Sequence, residues 1–192
     1  MTKNRLEAFS DGVFAIIITI LVLELKIPHG STFSALRPLL PVFLTYVLSF
    51  VFLAIYWNNH HHMLHTVHRV NGRILWANMH LLFWLSLIPF TTGWMGENHF
   101  ASEPTAVYGM VLLMAAIAYT ILTMEIVAHH GPDSVLAAAI GKDVKGKISI
   151  VGYVAAIALA FVDQWFSDAI YVTIALLWLV PDKRIEKRLD EH

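Results

Sequence analysis

The chain has 192 residues, of which 57% are hydrophobic and 14% are charged, whereas a typical soluble domain is about 45–50% apolar and about 25% charged. This composition excludes an ordinary soluble domain, and the ample apolar content excludes a disordered chain. The net charge of −1 gives no indication of nucleic-acid binding, and the absence of cysteine excludes disulfides and thiolate metal sites.

Six apolar segments approach the length that a membrane-spanning helix needs, about 20 residues. They predict spans at residues 5–27, 41–59, 74–93, 105–128, 148–165 and 167–180. Because backbone polar groups in lipid must bond within their own segment, each is predicted to be an α-helix. The last two segments are the shortest, and a peripheral helical hairpin is the alternative for them. The fold class is therefore an all-α membrane protein, with residues 1–192 as one six-helix domain.

The basic residues predict the orientation of these spans. With six spans and a cytoplasmic N-terminus, only Lys26 and Arg37 of the thirteen Lys and Arg residues lie outside. This asymmetry follows the positive-inside rule and predicts that both termini are cytoplasmic. The basic residues predicted to lie inside are Lys3, Arg5, Arg69, Arg73, Lys142, Lys145, Lys147, Lys183, Arg184, Lys187 and Arg188.

The first span carries the residues that indicate a function. Plotted at 100° per residue, four of its side chains share one stripe about 100° wide. They are Ile16, Thr19, Ile20 and Leu23. Asp11 lies nearly opposite this stripe. Ordinary packing accounts equally for such a stripe, and a helix-end charge or an ion pair accounts for the aspartate, so the pattern alone leaves these alternatives open.

A sequence motif indicates which role the stripe and Asp11 have. Residues 5–11, Arg-Leu-Glu-Ala-Phe-Ser-Asp, fit the pattern Arg-x-x-x-Phe-Ser-Asp, and residues 12–28 continue in the same manner. This block resembles the first helix of the transmembrane protein 175 family, which comprises lysosomal potassium channels and their prokaryotic relatives. A looser resemblance extends through Trp57, His60, Trp76, Asn78, Pro89, Phe90 and Thr91.

The resemblance implies a channel and not an enzyme. Prokaryotic members carry one six-helix unit per chain and assemble as homotetramers, so a multi-pass protein of the prokaryotic plasma membrane is expected. The first helices of the four subunits would line a central pore. Its partners would be identical subunits, the lipid bilayer and permeant monovalent cations, with K⁺ as the permeant ion and no cofactor.

The resemblance also assigns roles to the stripe. Ile16 would form the narrowest ring, Thr19 a hydroxyl layer, and Leu23 a further aliphatic ring, while Ile20 would share the constriction. The chain lacks the Thr-Val-Gly-Tyr-Gly sequence of carbonyl-lined filters. A tight aliphatic ring is therefore expected to give moderate preference for K⁺ over Na⁺ and to gate the pore by dewetting.

The signature residues are expected to act as a scaffold. By resemblance, Arg5, Phe9, Ser10 and Asp11 would tie the first helix to its neighbours through polar contacts. The candidate partners are His60, Trp76, Asn78 and His80.

A histidine cluster supplies the alternative function. Five histidines follow the second span, at His60, His61, His62, His65 and His68. Spacings of three and four residues suit metal or proton chemistry, so a His-mediated proton or metal transporter is the alternative, and a metal-dependent membrane enzyme is a further one. Because nearby carboxylates are few and no His-Glu-x-x-His motif occurs, we expect a partly solvated helix end and no metal site.

Overall fold

The computed structural model of the chain describes residues 2–140 and 143–179. No strand occurs within these residues, and the predicted all-α class is confirmed. The helices are α1 (Lys3–Leu23), α2 (Leu40–His65), α3 (Gly72–Ser86), α4 (Ile88–Glu97), α5 (Ser102–His130), α6 (Val135–Ile140), α7 (Val144–Leu159) and α8 (Gln164–Leu179), with a 3₁₀ segment (Phe33–Leu39) directly before α2.

Four helical segments are long and apolar enough to cross a membrane. They are Lys3–Leu23, Phe33–His65, Gly72–Glu97 and Ser102–His130. Helices α7 and α8 have 16 residues each, which corresponds to about 24 Å against a hydrocarbon core of about 30 Å. Several residues used for the predicted topology lie outside the described residues: Lys142, Val180, Lys183, Arg184, Lys187 and Arg188.

Several predicted boundaries differ from the structure. The third predicted span is two helices, α3 and α4, which meet at Leu87. Pro89 explains the break, because its ring lacks an N–H and clashes with the carbonyl four residues earlier. The fifth predicted span extended to Trp165, but α7 ends at Leu159 and Trp165 lies in α8. The short helix α6 was not predicted.

The helices pack around one cluster of buried apolar side chains to which all eight contribute. A chain of buried hydroxyl groups crosses this core. The Tyr108 hydroxyl of α5 lies 3.0 Å from Ser49 Oγ of α2, which lies 2.6 Å from Thr92 Oγ1 of α4. Thr92 donates in turn to the Ile88 carbonyl at 2.7 Å. Three helices are thus joined by satisfied polar groups in an apolar interior, which favours one arrangement.

Two hydrogen bonds hold α8 in place, one to α5 and one to α7. The Tyr171 hydroxyl of α8 donates to the Thr105 carbonyl of α5 at 3.0 Å. At the other end of α8, Trp178 Nε1 donates to Ser149 Oγ of α7 at 2.8 Å. Helix α7 packs against α5, and α8 packs against both α5 and α2. The pair thus forms an outer layer on these two helices.

One buried carboxylate in this layer has an unusual environment. Both carboxylate oxygens of Asp168 are buried without a hydrogen-bond partner within the part of the chain that the structure describes. A buried, unpaired carboxylate is far costlier than a neutral amide. We therefore expect Asp168→Asn to raise the midpoint of thermal unfolding in detergent by about 2–4 °C, equivalent to about 1 kcal/mol.

Asp163 supplies the matched control. Its Oδ1 accepts a hydrogen bond from the Trp165 backbone N–H at 3.0 Å, and asparagine serves in that position as well as aspartate. Asp163→Asn removes the same charge and is expected to leave the midpoint unchanged. A lower midpoint for Asp168→Asn would contradict the unpaired state of this carboxylate.

Candidate pore-lining helix

The stripe on α1 points away from the core of the protomer. The side chains of Ile16, Ile20 and Leu23 are 60%, 44% and 73% exposed, and Thr19 is exposed beside them. Large aliphatic side chains are seldom left so open unless lipid or another protein surface covers them. All four residues predicted for the stripe thus lie on a face that the described part of the chain leaves largely uncovered.

The opposite face of α1 is buried against the rest of the chain. Its residues repeat at intervals of three and four, which is the period of one helix face. They are Leu6, Ser10, Phe14, Ile17 and Leu21. Helix α1 is therefore anchored along its whole length through one face, and its position in the protomer is set by that face.

The exposed face of α1 has a regular spacing of its own. Six of its exposed positions follow alternating steps of four and three residues, and they are Arg5, Phe9, Gly12, Ile16, Thr19 and Leu23. This alternation is typical of helices that pack side by side around a common axis. We call these six residues the seam. Ile20 lies one position off the seam, beside Ile16 and Leu23.

The Thr19 hydroxyl is oriented by its own helix. Its Oγ1 donates to the Ala15 carbonyl at 2.8 Å. Because a hydroxyl has one proton and two lone pairs, this bond commits the proton to the backbone and leaves the lone pairs available on the exposed side. An oxygen in that state can accept a hydrogen bond or coordinate a cation.

A buried hydrogen-bond chain joins α1 to α2 and α3. Ser10 Oγ donates to the Leu6 carbonyl (2.9 Å) and accepts from Asn78 Nδ2 (3.0 Å). Asn78 Oδ1 lies 2.7 Å from His60 Nε2, so the imidazole donates from Nε2. The side chains of Ser10, Asn78 and His60 are at most 1% exposed. The structure thus brings together one signature serine and two of its predicted partners.

Asp11 has a partner that was not on the predicted list. Trp57 Nε1 of α2 donates to Asp11 Oδ1 at 3.0 Å. Trp57 precedes His60 by three residues, so both side chains lie on the side of α2 that faces α1. That spacing was the available signal, but nothing in it singles out a tryptophan as the donor to a carboxylate.

Four predicted network residues lie outside this chain of hydrogen bonds. Arg5 and Phe9 are exposed at the N-terminal end of the seam. Trp76 is 78% exposed on α3, and His80 accepts a hydrogen bond from Trp84 Nε1 of the same helix at 2.9 Å. Within one protomer the network is therefore smaller than the predicted set.

The histidines near the C-terminal ends of α2 and α5 make contacts of several kinds. Lys3 Nζ donates to the His65 carbonyl at the end of α2 (2.9 Å), and His61 Nδ1 lies 3.5 Å from Glu7 Oε1. His130, at the end of α5, lies within hydrogen-bond distance of the backbone N–H groups of His68 and Arg69. Across the described residues, no group of three or more histidines or carboxylates is arranged to hold a metal ion.

Charged residues surround the other end of α1. The Glu24 carboxylate lies against Gly93 of α4, where a Cβ atom would collide with it. One turn later on α4, Glu97 forms an ion pair with Lys26. This contact raises the pKa of Lys26, chiefly through the hydrogen bond to the Glu97 carboxylate, so the lysine stays charged. The pair was not predicted, because it joins residues far apart in the sequence.

Comparisons with known proteins identify the family. The sequence model described as "Endosomal/lysosomal potassium channel TMEM175" matches residues 5–89. A protein of Chryseobacterium sp. named a potassium channel is 57% identical over 192 residues, covering 100% of both chains. A chicken protein named the endosomal/lysosomal proton channel TMEM175 is 29% identical over 133 residues, which cover 61% of this chain and 26% of that protein.

A solved structure agrees in fold. The crystal structure described as that of a lysosomal potassium-selective channel TMEM175 homolog, from Chamaesiphon minutus, matches with a TM-score of 0.82 and 31% identity, covering 94% of this chain and 97% of that one. These relatives are ion channels and not enzymes. The resemblance in the first helix is confirmed, and the chain is a membrane protein that belongs to the TMEM175 family.

Proposed function

We propose that this chain is one subunit of a homotetrameric, moderately K⁺-selective cation channel of the prokaryotic plasma membrane. Four copies of α1 would line the pore, with Ile16 at the constriction, Thr19 and Leu23 beyond it, and Ile20 beside them. The single observation that carries the proposal is the uncovered aliphatic stripe on a helix whose opposite face is fully buried. The bacterial relatives named potassium channels support the choice of ion.

The seam supports assembly around an axis. One helix is about 10 Å wide and cannot enclose a pore by itself, so the stripe needs several copies, and closed cyclic symmetry supplies them. The seam carries small residues at Gly12 and Thr19, which let helix backbones approach closely in membranes. Trp76, exposed on α3, would then lie at or near a surface between subunits.

Six spans in each subunit fit the surface of the outer layer. Helices α7 and α8 expose aliphatic side chains on the side away from α5, and lipid would cover them. They include Ile148, Val151, Val154, Val172, Leu176 and Leu179. Both helices are short, but a bilayer thins locally around short spans at modest cost. With six spans, Lys3, Arg5, Arg69 and Arg73 lie on the cytoplasmic side together with both termini.

The pore would select and gate without backbone carbonyls. A ring of Ile16 side chains removes part of an ion's hydration shell, and a narrow apolar neck that loses its water blocks ions without a plug. Thr19 would offer lone pairs one turn further on, because its proton is engaged by Ala15. The segment from Gly12 to Leu23 would thus contain both the barrier to ion permeation and, at Thr19, the one polar side chain within that barrier.

Thr19→Val tests the hydroxyl layer. Valine keeps the shape but removes the lone pairs, so we expect the ratio of K⁺ to Na⁺ permeability to fall about threefold, the loss of a weak interaction of ~0.6 kcal/mol. Reversal potentials under bi-ionic conditions measure this ratio. Thr19→Ser, which keeps the hydroxyl, is the control. An unchanged ratio in Thr19→Val would place the selective layer elsewhere.

The central experiment is ion flux from liposomes that contain the purified protein. Gradients of K⁺, Na⁺ and Cs⁺ are applied in turn, and a dye or ion-selective electrode reports passive efflux, while native mass spectrometry reports the number of subunits. Flux with a preference for K⁺, from a tetramer, is expected. A protein that stays monomeric in lipid, or a tetramer that passes no monovalent cation, would refute the proposal.

Proton conduction through the same pore is the second candidate. The observation that favours it is the match to vertebrate relatives named proton channels, which covers 54–62% of this chain for the chicken, mouse, rat and human proteins. A pH-sensitive dye inside the same liposomes tests it under a pH gradient. Chelators are expected to spare both fluxes, whereas loss of flux on chelation would favour the metal-dependent alternative.

A further inference from the structure

The ion pair between Lys26 and Glu97 lies just beyond the Leu23 end of the seam. Helix α1 ends at Leu23, and Lys26 follows three residues later in the chain. Its partner Glu97 lines a groove together with Ile20 of the stripe. The side chain of Lys26 is 72% exposed and that of Glu97 is 45% exposed. Exposed pairs of this kind contribute little to stability, so the stability of the fold does not account for a charged pair at this position.

The position of the pair becomes significant in a tetramer. If four copies of the seam meet at an axis, the Leu23 ends of the four helices surround the outer mouth, and four Lys26 ammonium groups lie just beyond them. Such a ring of positive charge would repel the cations that the pore is proposed to conduct. Glu97 lies directly against each ammonium group and cancels its charge at short range.

A second carboxylate, that of Glu24, then sets the sign of the net charge at the mouth. Glu24 is near enough to Lys26 to interact with it electrostatically, and it lines the same groove as Ile20, Gly93, Trp94 and Glu97. Glycine at position 93 is what lets the Glu24 carboxylate lie against α4. With Lys26 neutralised by Glu97, each subunit contributes one net negative charge from Glu24.

We infer that the Lys26–Glu97 pair sets the charge of the outer mouth, and that it thereby determines how strongly this end of the pore attracts cations. The inference rests on the proposed function, since it requires the Lys26–Glu97 pair to lie at the mouth of a conducting oligomer. Glu97 is then a residue that tunes conductance from α4, although it belongs to neither the stripe nor the signature.

The charge balance predicts an order among variants. Glu97→Gln leaves Lys26 uncompensated and brings the net charge of the mouth to zero, whereas Lys26→Gln leaves both carboxylates. The measurement is inward K⁺ conductance in planar bilayers with about 20 mM KCl on the outer side, where the screening length exceeds ~20 Å. Conductance is expected to be highest for Lys26→Gln, intermediate for the unmodified protein and lowest for Glu97→Gln, with about fivefold between the extremes.

Varying the salt concentration on each side of the bilayer distinguishes an electrostatic effect of the pair on conductance from a purely structural one. At 1 M KCl the screening length is about 3 Å, so the difference between the two variants is expected to fall below about 1.5-fold. Lowering the salt on the cytoplasmic side alone is expected to leave the order of the variants unaffected. The matched control is Glu103→Gln, which removes an exposed carboxylate from the first turn of α5 and is expected to change conductance by less than about 1.2-fold.

The double exchange Lys26→Glu with Glu97→Lys checks the pairing itself. It keeps the pair and the net charge of the mouth, so conductance near the unmodified value is expected. Equal conductance for all variants at low outer salt, in a protein that does conduct K⁺, would overturn the inference and leave the proposed function intact. A protein that conducts no K⁺ at any salt concentration would overturn both.

Discussion

Ile16→Asn is expected to raise basal K⁺ flux about tenfold and to weaken the preference for K⁺ over Na⁺. Each isoleucine contributes apolar surface worth about 1.5–3 kcal/mol, and a reduction of only ~1.4 kcal/mol in the barrier to permeation gives a tenfold higher rate. An amide at this position lets water remain in the neck, so the dewetting barrier is lost. The measurement is liposome efflux with K⁺ and Na⁺ gradients on purified protein.

Two variants make this result specific to the constriction. Ile16→Leu keeps the aliphatic volume and is expected to leave flux within about twofold, because a volume-conserving exchange costs little. Ile20→Asn lies one position off the seam and is expected to have a smaller effect than Ile16→Asn. Equal flux and an equal ion ratio in Ile16→Asn and the unmodified protein would place the constriction elsewhere.

The face that α1 presents could be predicted from sequence because a helix has a fixed period. Once the segment is helical, residues 16, 19, 20 and 23 must share one side, and the structure leaves that side uncovered. The opposite, buried side follows from the same geometry. The predicted helical class is confirmed, and four of the predicted spans lie in helices that are long and apolar enough to cross a membrane.

Contacts between distant segments could not be predicted in this way. The Trp57–Asp11 bond and the Lys26–Glu97 pair depend on how α1 lies against α2 and α4. Periodicity gives the face of each helix but neither its axial shift nor its neighbour. The family resemblance supplied the missing information for Ser10, Asn78 and His60, which are joined by hydrogen bonds. Trp76 and His80 came from the same reasoning and lie outside this chain of hydrogen bonds.

The predictions of the helix ends were wrong for a local reason. The spans were predicted from hydropathy, which reports where lipid is tolerated and not where backbone hydrogen bonding stops. Helix α2 continues beyond its apolar part through the polar residues Asn58 to His65. Between α7 and α8, Asp163 begins a new helix by accepting the Trp165 N–H, although the apolar pattern runs through this point almost unbroken.

Asn78→Leu is expected to destabilise the folded protomer by about 1–3 kcal/mol, because it leaves the buried His60 Nε2–H without an acceptor. Asn78 is the central link of the chain from His60 to Ser10, and it is the only member that bonds to two helices other than its own among the described contacts. The midpoint of thermal unfolding in detergent and the yield of tetramer measure the effect. Ion preference of the protein that does assemble is expected to be unchanged, since Asn78 is buried away from the seam.

A double-mutant cycle identifies the cause of that loss. His60→Leu combined with Asn78→Leu removes both partners, and the pair is expected to cost at least ~1 kcal/mol less than the sum of the single changes. Asp11→Ala, which removes only the half-buried acceptor of Trp57, is expected to cost less than Asn78→Leu. Strictly additive losses of stability would mean that His60 and Asn78 do not stabilise each other. Altered ion selectivity in a well-folded Asn78→Leu tetramer would mean that the network acts on the pore itself and does more than hold α1 in place.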